Sequence, residues 1–500
     1  MRVETKIAIV ELDPNFWSIK KRGEEIIIKA KLGIDPKPKI VINENELKIK
    51  QDIVRSVPIF VHVDSKITIT DNVKKLPIKK LNFDVLGLSE YFVYKYPLEN
   101  RTIWEKVLQV GAGELWKYAK EDFSVNNQYQ FRIGMLKESR KEQELENSIY
   151  SVFEEFFDKV KHETIVIPLS GGYDSRLIAF MAREFGIQDR VVAICYGQRD
   201  SDETRTSKNV AKKLGIEWKF VEYSKKFIYD IVNSEEFSNY LRFHRNVPST
   251  PHIQDFFAFK YLVEKGIISK GAVVVPGHSG DFLAGSRLKY TKGIKSLKSL
   301  VNVIVGYHSQ RLFTPKIAKK SIEEYVKSVV RKNKEVELSD IFEYFDWKER
   351  QAKFIVNSVR VYEFFDLQWE LPLWYKDFVD FWSSTSNEQR YNMNLYNSVL
   401  KKLFSKYTIN FESVDVGTSR LREMLKALIV PSSVSFFKRT ESVIKKKYKM
   451  IPLYGMYDFN NIGYDKILLN DLKRYGYGRT GTEINSIITD KSFELIMEEL

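Results

Sequence analysis

The chain has 500 residues, 43% of them hydrophobic and 29% charged, with a formal net charge of +14. That composition is ordinary for a globular chain of two to four domains with sizeable cores. A single cysteine, Cys195, and six histidines without an H-x-x-x-H or H-E-x-x-H pair exclude a disulfide framework and a cysteine-based zinc site. No run of about 18 apolar residues occurs. The opening MRVETKIAIVELDPNFW lacks the apolar core of a signal peptide, so a cytoplasmic location is expected, with no membrane partner. The positive charge is spread along the chain, mostly as Lys near Glu. It is read as solvated surface rather than as a nucleic-acid footprint.

Residues 1 to about 80 alternate the runs IAIV, EEIIIKA, PKIVI, IFVHV and KITIT with polar turns, which predicts an antiparallel β-rich region. The stretch from Phe83 to Tyr118 predicts a short helix, a loop, and a strand after the turn at Gly111 to Gly113. KESRKEQELENS then opens a helix through IYSVFEEFFDKV, and a boundary near 135–145 divides residues 1–140 from 141–500. From Thr164 the pattern changes. The strands TIVIPLS, DRVVAICYG and EWKFVEY alternate with the helices RLIAFMAREFG and DETRTSKNVAKKLG, each of which ends on glycine. This spacing predicts a βαβαβ unit and a parallel sheet. AVVVPGHSGD adds a buried strand at 272–276. Residues 286 to about 340, rich in Lys, predict helices of an insertion or lid, and 341 to about 406 predict helices rich in aromatic residues. The expected fold class is α/β: a β-rich N-terminal domain followed by a parallel-sheet α/β domain with helical additions.

The junction PLSGGYDSR, Pro168 to Arg176, carries the chemistry. A glycine-rich turn between a parallel strand and a helix exposes backbone N–H groups at a helix N-terminus and favours phosphate. Leu169, Gly171 and Gly172 bring backbone to the ligand, and Ser170 and Ser175 add hydroxyls. Asp174 would repel phosphate unless a cation lay between them, which predicts magnesium with Asp174 as ligand. No lysine follows the glycines, so this is not a Walker A loop.

SGGYDS resembles the pyrophosphate loop of the ATP pyrophosphatase superfamily, and three further stretches resemble the asparagine synthetase family. They are VVAICYGQRDSDETRTSKNVAKKLG with Asp202 and Glu203, VVVPGHSGDFLAGSR, and FDLQWELPLWYKDFVDF around Pro372. The resemblance covers about residues 80–405. It implies ATP and Mg2+ as cofactors, Gly277 in the nucleotide site, and Asp281 as a second magnesium ligand beside Asp174. It also implies adenylation of a small carboxylate, attack by ammonia or an amine, and a homodimer as a candidate assembly. Cys195 is read as a small buried hydrophobe beside the adenine. The N-terminal region resembles the family's glutaminase domain, but residue 2 is Arg2 where the family exposes a cysteine. An inactive shell is therefore expected, as in β-lactam synthetase. His278 stands where that relative has the tyrosine of a catalytic dyad. His278 is thus a candidate proton acceptor tuned near neutrality, with Glu349 as its partner and Glu343 in reserve. Lys438, with Arg439 beside it, is the nearest fit to the family's pyrophosphate lysine. Two other readings stay open. One is a serine hydrolase built on Gly277-His278-Ser279, although Asp281 stands where the nucleophile elbow has its last glycine. The other is a tRNA-modifying adenylating enzyme.

Overall fold

The computed structural model describes residues 1–409 except 120–121, 245–248, 311–313 and 334, together with 488–489 and 492–496. The N-terminal strands are β1 (Arg2–Glu4), β2 (Ala8–Glu11), β3 (Trp17–Arg22), β4 (Glu25–Ala30), β5 (Lys39–Ile42), β6 (Glu46–Lys50), β7 (Phe60–Val63) and β8 (Ile67–Thr70). After helix α1 (Val85–Tyr94) come β9 (Val107–Gln109), β10 (Glu114–Ala119) and β11 (Asp122–Asn127). They form two sheets, ordered β1-β2-β8-β7-β9 and β11-β10-β6-β5-β4-β3. Alternation sends Ile40, Ile42, Leu47 and Ile49 inward, where they join Val10, Trp17, Ile28, Val61, Ile69 and Trp116 in one core. The second sheet is antiparallel throughout. The first is mixed, because β2 pairs with β8 in parallel. Between those two strands the chain builds four strands of the other sheet, and β8 re-enters through the β7 hairpin in the direction of β2.

Helix α2 (Glu142–Lys159) opens the second half. Its first turn is fixed by the Glu144 carboxylate, which accepts the Lys141 N–H at 2.7 Å. Leu145, Ile149, Val152, Phe153 and Phe156 form its buried stripe. Then follow β12 (Ile165–Pro168), α3 (Tyr173–Glu184), β13 (Val191–Gly197), α4 (Asp202–Leu214), β14 (Glu217–Glu222), β15 (Val273–Val274) and β16 (Gln368–Trp369). α4 is signposted at both ends: Ser201 caps its first turn, acidic Asp202 and Glu203 follow, Lys212 and Lys213 close it, and Gly215 turns left-handed at φ 68°. The sheet is wholly parallel, with order β14-β13-β12-β15-β16. From β12 the chain first builds outward on one side and later returns on the other. The order therefore reverses between β12 and β15, and in open α/β sheets ligands bind beyond the strand ends at such a point.

The lysine-rich region is not a detached lid. Helices Leu297–His308 and Lys316–Lys332 lay Leu300, Ile304, Ala318, Ile322 and Val326 in the central core, while Lys319 and Lys320 face solvent. Lysine content reported an outer face and hid the inner one. The same core takes in Ile34, Val54, Tyr94, Tyr96 and Phe131, so the two halves of the chain share apolar packing across residue 140.

Candidate active site

β12 delivers the loop to the carboxyl edge of the sheet. Leu169 is buried and continues the ladder, its N–H donating to Ile194 O at 2.8 Å. The loop then folds on its own hydroxyls. Ser170 N–H donates to Ser175 Oγ at 3.1 Å, the two hydroxyls lie 3.1 Å apart, and Gly172 N–H donates to Ser170 Oγ at 3.1 Å. Arg176 braces it from behind, donating to Gly171 O at 2.7 Å and Gly172 O at 3.2 Å. Arg176 draws both carbonyls back, while the Ser170 and Gly172 N–H groups are held by the loop's own hydroxyls. Glu203, from α4, accepts the Gly171 N–H at 3.4 Å, and burial raises its pKa.

The turn after β15 meets this loop. Asp281 N–H donates to Asp174 Oδ2 at 3.0 Å, and Tyr396 OH donates to Asp174 Oδ1 at 2.9 Å. Two glycines permit the approach. A β-carbon on Gly277 would lie 2.7 Å from Ser175 N, and one on Gly280 would lie 2.7 Å from Asp174 Oδ1. Burial, with the Asp281 charge second, pushes the Asp174 carboxyl up to about 7. Asp281 is more open, accepts from Ser286 Oγ at 2.9 Å, and has Arg287 at 3.6 Å. Arg390 holds the turn from behind, donating twice to Leu283 O, at 2.9 and 2.7 Å. Among the described residues no cluster of three or more His, Cys, Asp or Glu side chains forms a metal cage. A pair of carboxylates, one of them held uncomfortably in burial, instead suits magnesium, which is commonly held by one or two carboxylates with phosphates and water completing its shell.

Three expected residues lie elsewhere or behave otherwise. Glu349 is not set against His278. It sits on a π-helical turn, Asp346–Ile355, facing the N-terminal region, with Lys353 Nζ at 2.6 Å and the Glu99 N–H at 3.1 Å. The wider turn sends Gln351 toward the β15 loop instead, where it accepts from Ser279 Oγ at 2.7 Å. Glu343 is taken by Arg390, at 2.6 and 2.8 Å. His278 is half-buried with its Nδ1 buried and unpartnered, and desolvation pushes it down to about 4, so it is neutral rather than poised near 7. Asp255 is the first charge to oppose that shift, ahead of Asp281. Asp255 accepts from Tyr196 OH at 2.6 Å and Tyr362 OH at 2.5 Å. Cys195 faces α4 from inside β13, and burial pushes its thiol up to about 12. Ser279 donates to Gln351 and has no histidine on its hydroxyl, which is not the geometry of a nucleophilic serine. Lys438 and Arg439 lie outside the described residues. Arg176, Tyr396 and Asp255 were not anticipated. Arg176 stands inside the loop motif, whereas Tyr396 reaches Asp174 across 222 residues and leaves no local signal.

The family description "Asparagine synthase" matches residues 159–410, half of the chain. The chain belongs to the asparagine synthase family. The match spans β12 through the helix that carries Tyr396 and includes both turns of the site. Membership carries an ATP-dependent, ligase-like function. A curated relative, 7-cyano-7-deazaguanine synthase of Desulfatibacillum aliphaticivorans, is 39% identical over 56 residues. That likeness covers 11% of this chain and 24% of the relative, so the chain matches about a quarter of that protein's length. No helix among the described residues is long and apolar enough to cross a membrane.

Proposed function

We propose that the protein is an ATP-dependent carbon–nitrogen ligase that adenylates a small carboxylate, releases pyrophosphate and passes the acyl group to ammonia or an amine. The observation that carries this reading is the 3.0 Å bond from Asp281 N to Asp174 Oδ2, which joins a phosphate-type loop to a second carboxylate turn at the strand-order reversal. The Gly171 N–H, with the Ser170 and Ser175 hydroxyls, is offered to the β- and γ-phosphates at the start of α3. Asp174 and Asp281 would hold a magnesium ion, which when bound offsets phosphate charge and favours pyrophosphate as leaving group. Glu203 gives up the Gly171 N–H when phosphate arrives. Arg287 brings fixed positive charge beside Asp281. His278, neutral and with a bare Nδ1, accepts a proton from the incoming amine, with the Asp255 charge favouring the imidazolium that forms.

The N-terminal sheets have a glutaminase-like place in the chain but no cysteine, so nitrogen arrives as free ammonia or an amine. The test is pyrophosphate and AMP formation from ATP and Mg2+ against a panel of acids and amines. The cyano-deazaguanine likeness adds a deazapurine acid to aspartate and sugar acids in that panel. Activity with ammonia and none with glutamine is expected, and Asp174→Ala abolishes it. Failure of every pair to yield AMP and pyrophosphate would overturn the reading.

A further inference from the structure

A second site lies between the N-terminal sheets and the π-helical turn, away from the nucleotide loop. Residues 51–57 form a tightly held loop after β6. Asp52 Oδ1 accepts the Val54 N–H at 2.9 Å and the Ser56 N–H at 3.1 Å, and Oδ2 accepts the Ser56 hydroxyl. Gln51 Nε2 donates to Val57 O at 2.9 Å, and Gly113 N–H donates to Asp52 O at 2.7 Å. The other half of the chain clamps the loop as well. Trp347 Nε1 donates to Ile53 O at 2.8 Å, and Arg360 Nη2 donates to Ser56 O at 2.6 Å.

At the tip of this loop Arg55 takes a left-handed backbone, φ 55°, which a residue with a β-carbon adopts at a cost. The residue is 1% exposed, and Nε, Nη1 and Nη2 are all buried without a partner. The Phe60 ring lies 5.8 Å from the guanidinium carbon. The surrounding cations each have a carboxylate: Lys353 has Glu349 at 2.6 Å, Lys348 has Glu114 at 2.8 Å, and Arg360 has Glu363 at 2.8 Å. Asp52, on the loop itself, is committed to backbone amides and Ser56. Pairing the groups off leaves Arg55 as a buried cation with no counter-ion. An isolated buried charge is among the least tolerable features of a folded interior.

We propose that Arg55 is the anchor of a binding site for a small planar oxyanion, of the carboxylate or hydrogencarbonate type, held between the N-terminal sheets and the π-helical turn. The guanidinium fork is planar and rigid, and its parallel N–H pairs match two oxygens of one such anion. The loop is clamped from both halves of the chain, so an anion bound there ties the halves together. This inference is independent of the ligase reading.

The test uses the full chain, exchanged into chloride buffer, with formate titrated at constant ionic strength. Parent protein and Asp174→Ala, which disables the nucleotide loop, should each show a saturating rise in melting temperature of about 2–5 °C. Arg55→Met should show none. An equal response in Arg55→Met, or no difference between formate and chloride in the parent, overturns the proposal. Line broadening of 13C-formate on the parent protein needs no variant to fold. Broadening that saturates near one formate per chain and persists in Asp174→Ala supports the site, and a linear or absent response refutes it.

Discussion

Gly277→Ala isolates the contact on which the candidate site depends. The added β-carbon would sit 2.7 Å from Ser175 N and 3.2 Å from Ser175 Cα and Cβ, where ordinary contact begins near 3.4 Å. The two turns must therefore part by about 0.7 Å, the difference between 3.4 and 2.7 Å. The obstacle is backbone at the start of α3, not the tip of a flexible side chain. The Gly277 backbone is outside the left-handed region, so conformational strain does not confuse the result. Overpacking of this kind costs about 1–3 kcal/mol of stability. Displacing a phosphate cradle by a large fraction of an ångström costs about 10²-fold in rate. The assay is ATP–pyrophosphate exchange beside a thermal melt. A variant with the parent's exchange rate and melting temperature would refute the claim that the β12 and β15 turns are held in contact to form one site.

Gly172→Ala is the complementary case. Its β-carbon would meet only Ser170 Oγ, at 3.2 Å. Stability should stay within about 1 kcal/mol of the parent while exchange falls at least about tenfold, as bulk enters the phosphate path; a normal exchange rate would remove Gly172 from the cradle. Glu349→Gln leaves Lys353 buried without its carboxylate and should lower stability by about 3–5 kcal/mol in urea unfolding. Unchanged stability would refute that assignment. Burial pushes the Asp255 carboxyl upward, but His252 and the Tyr196 and Tyr362 hydroxyls outweigh it and hold it at about 2. That stabilisation is complete above the ordinary aspartate pKa of 3.8 and is lost as pH falls through about 2, for about 2 kcal/mol in all. Asp255→Asn should flatten that acid limb in pH-dependent unfolding. A fluorophosphonate probe should leave Ser279 unlabelled, and mass spectrometry of the treated protein checks this.

What the sequence announced were features written in local order. The strand-glycine-helix junction at Ser170, the capped and charged ends of α4, and the alternation of β5 and β6 each depend on neighbours within a few residues. The parallel sheet followed from their spacing. What it concealed depended on rotation and distance. Glu349 and Gln351 are two positions apart, and only the π-helical turn decides which of them faces the β15 loop. Tyr396 and Arg390 act through contacts spanning the fold, and nothing beside them in the chain marks their partners. The lysines of residues 316–332 advertised solvent while the opposite face of the same helix was being buried. His278 read as a neutral-range base from its residue type, and desolvation, with His252 acting in the same direction, displaced it.

The ladder between β12 and β15 is two residue pairs long, Ile165 with Val273 and Val166 with Val274. It is a short seam in the middle of the sheet, and the two carboxylates hang beyond its open end. So few rungs resist parting weakly. The separation of Asp174 from Asp281 is then governed by glycine contacts and backbone hydrogen bonds to the Asp174 carboxylate, which can loosen without unzipping the sheet. A cleft hinged on so short a seam can tighten and slacken with most of the surrounding body standing still.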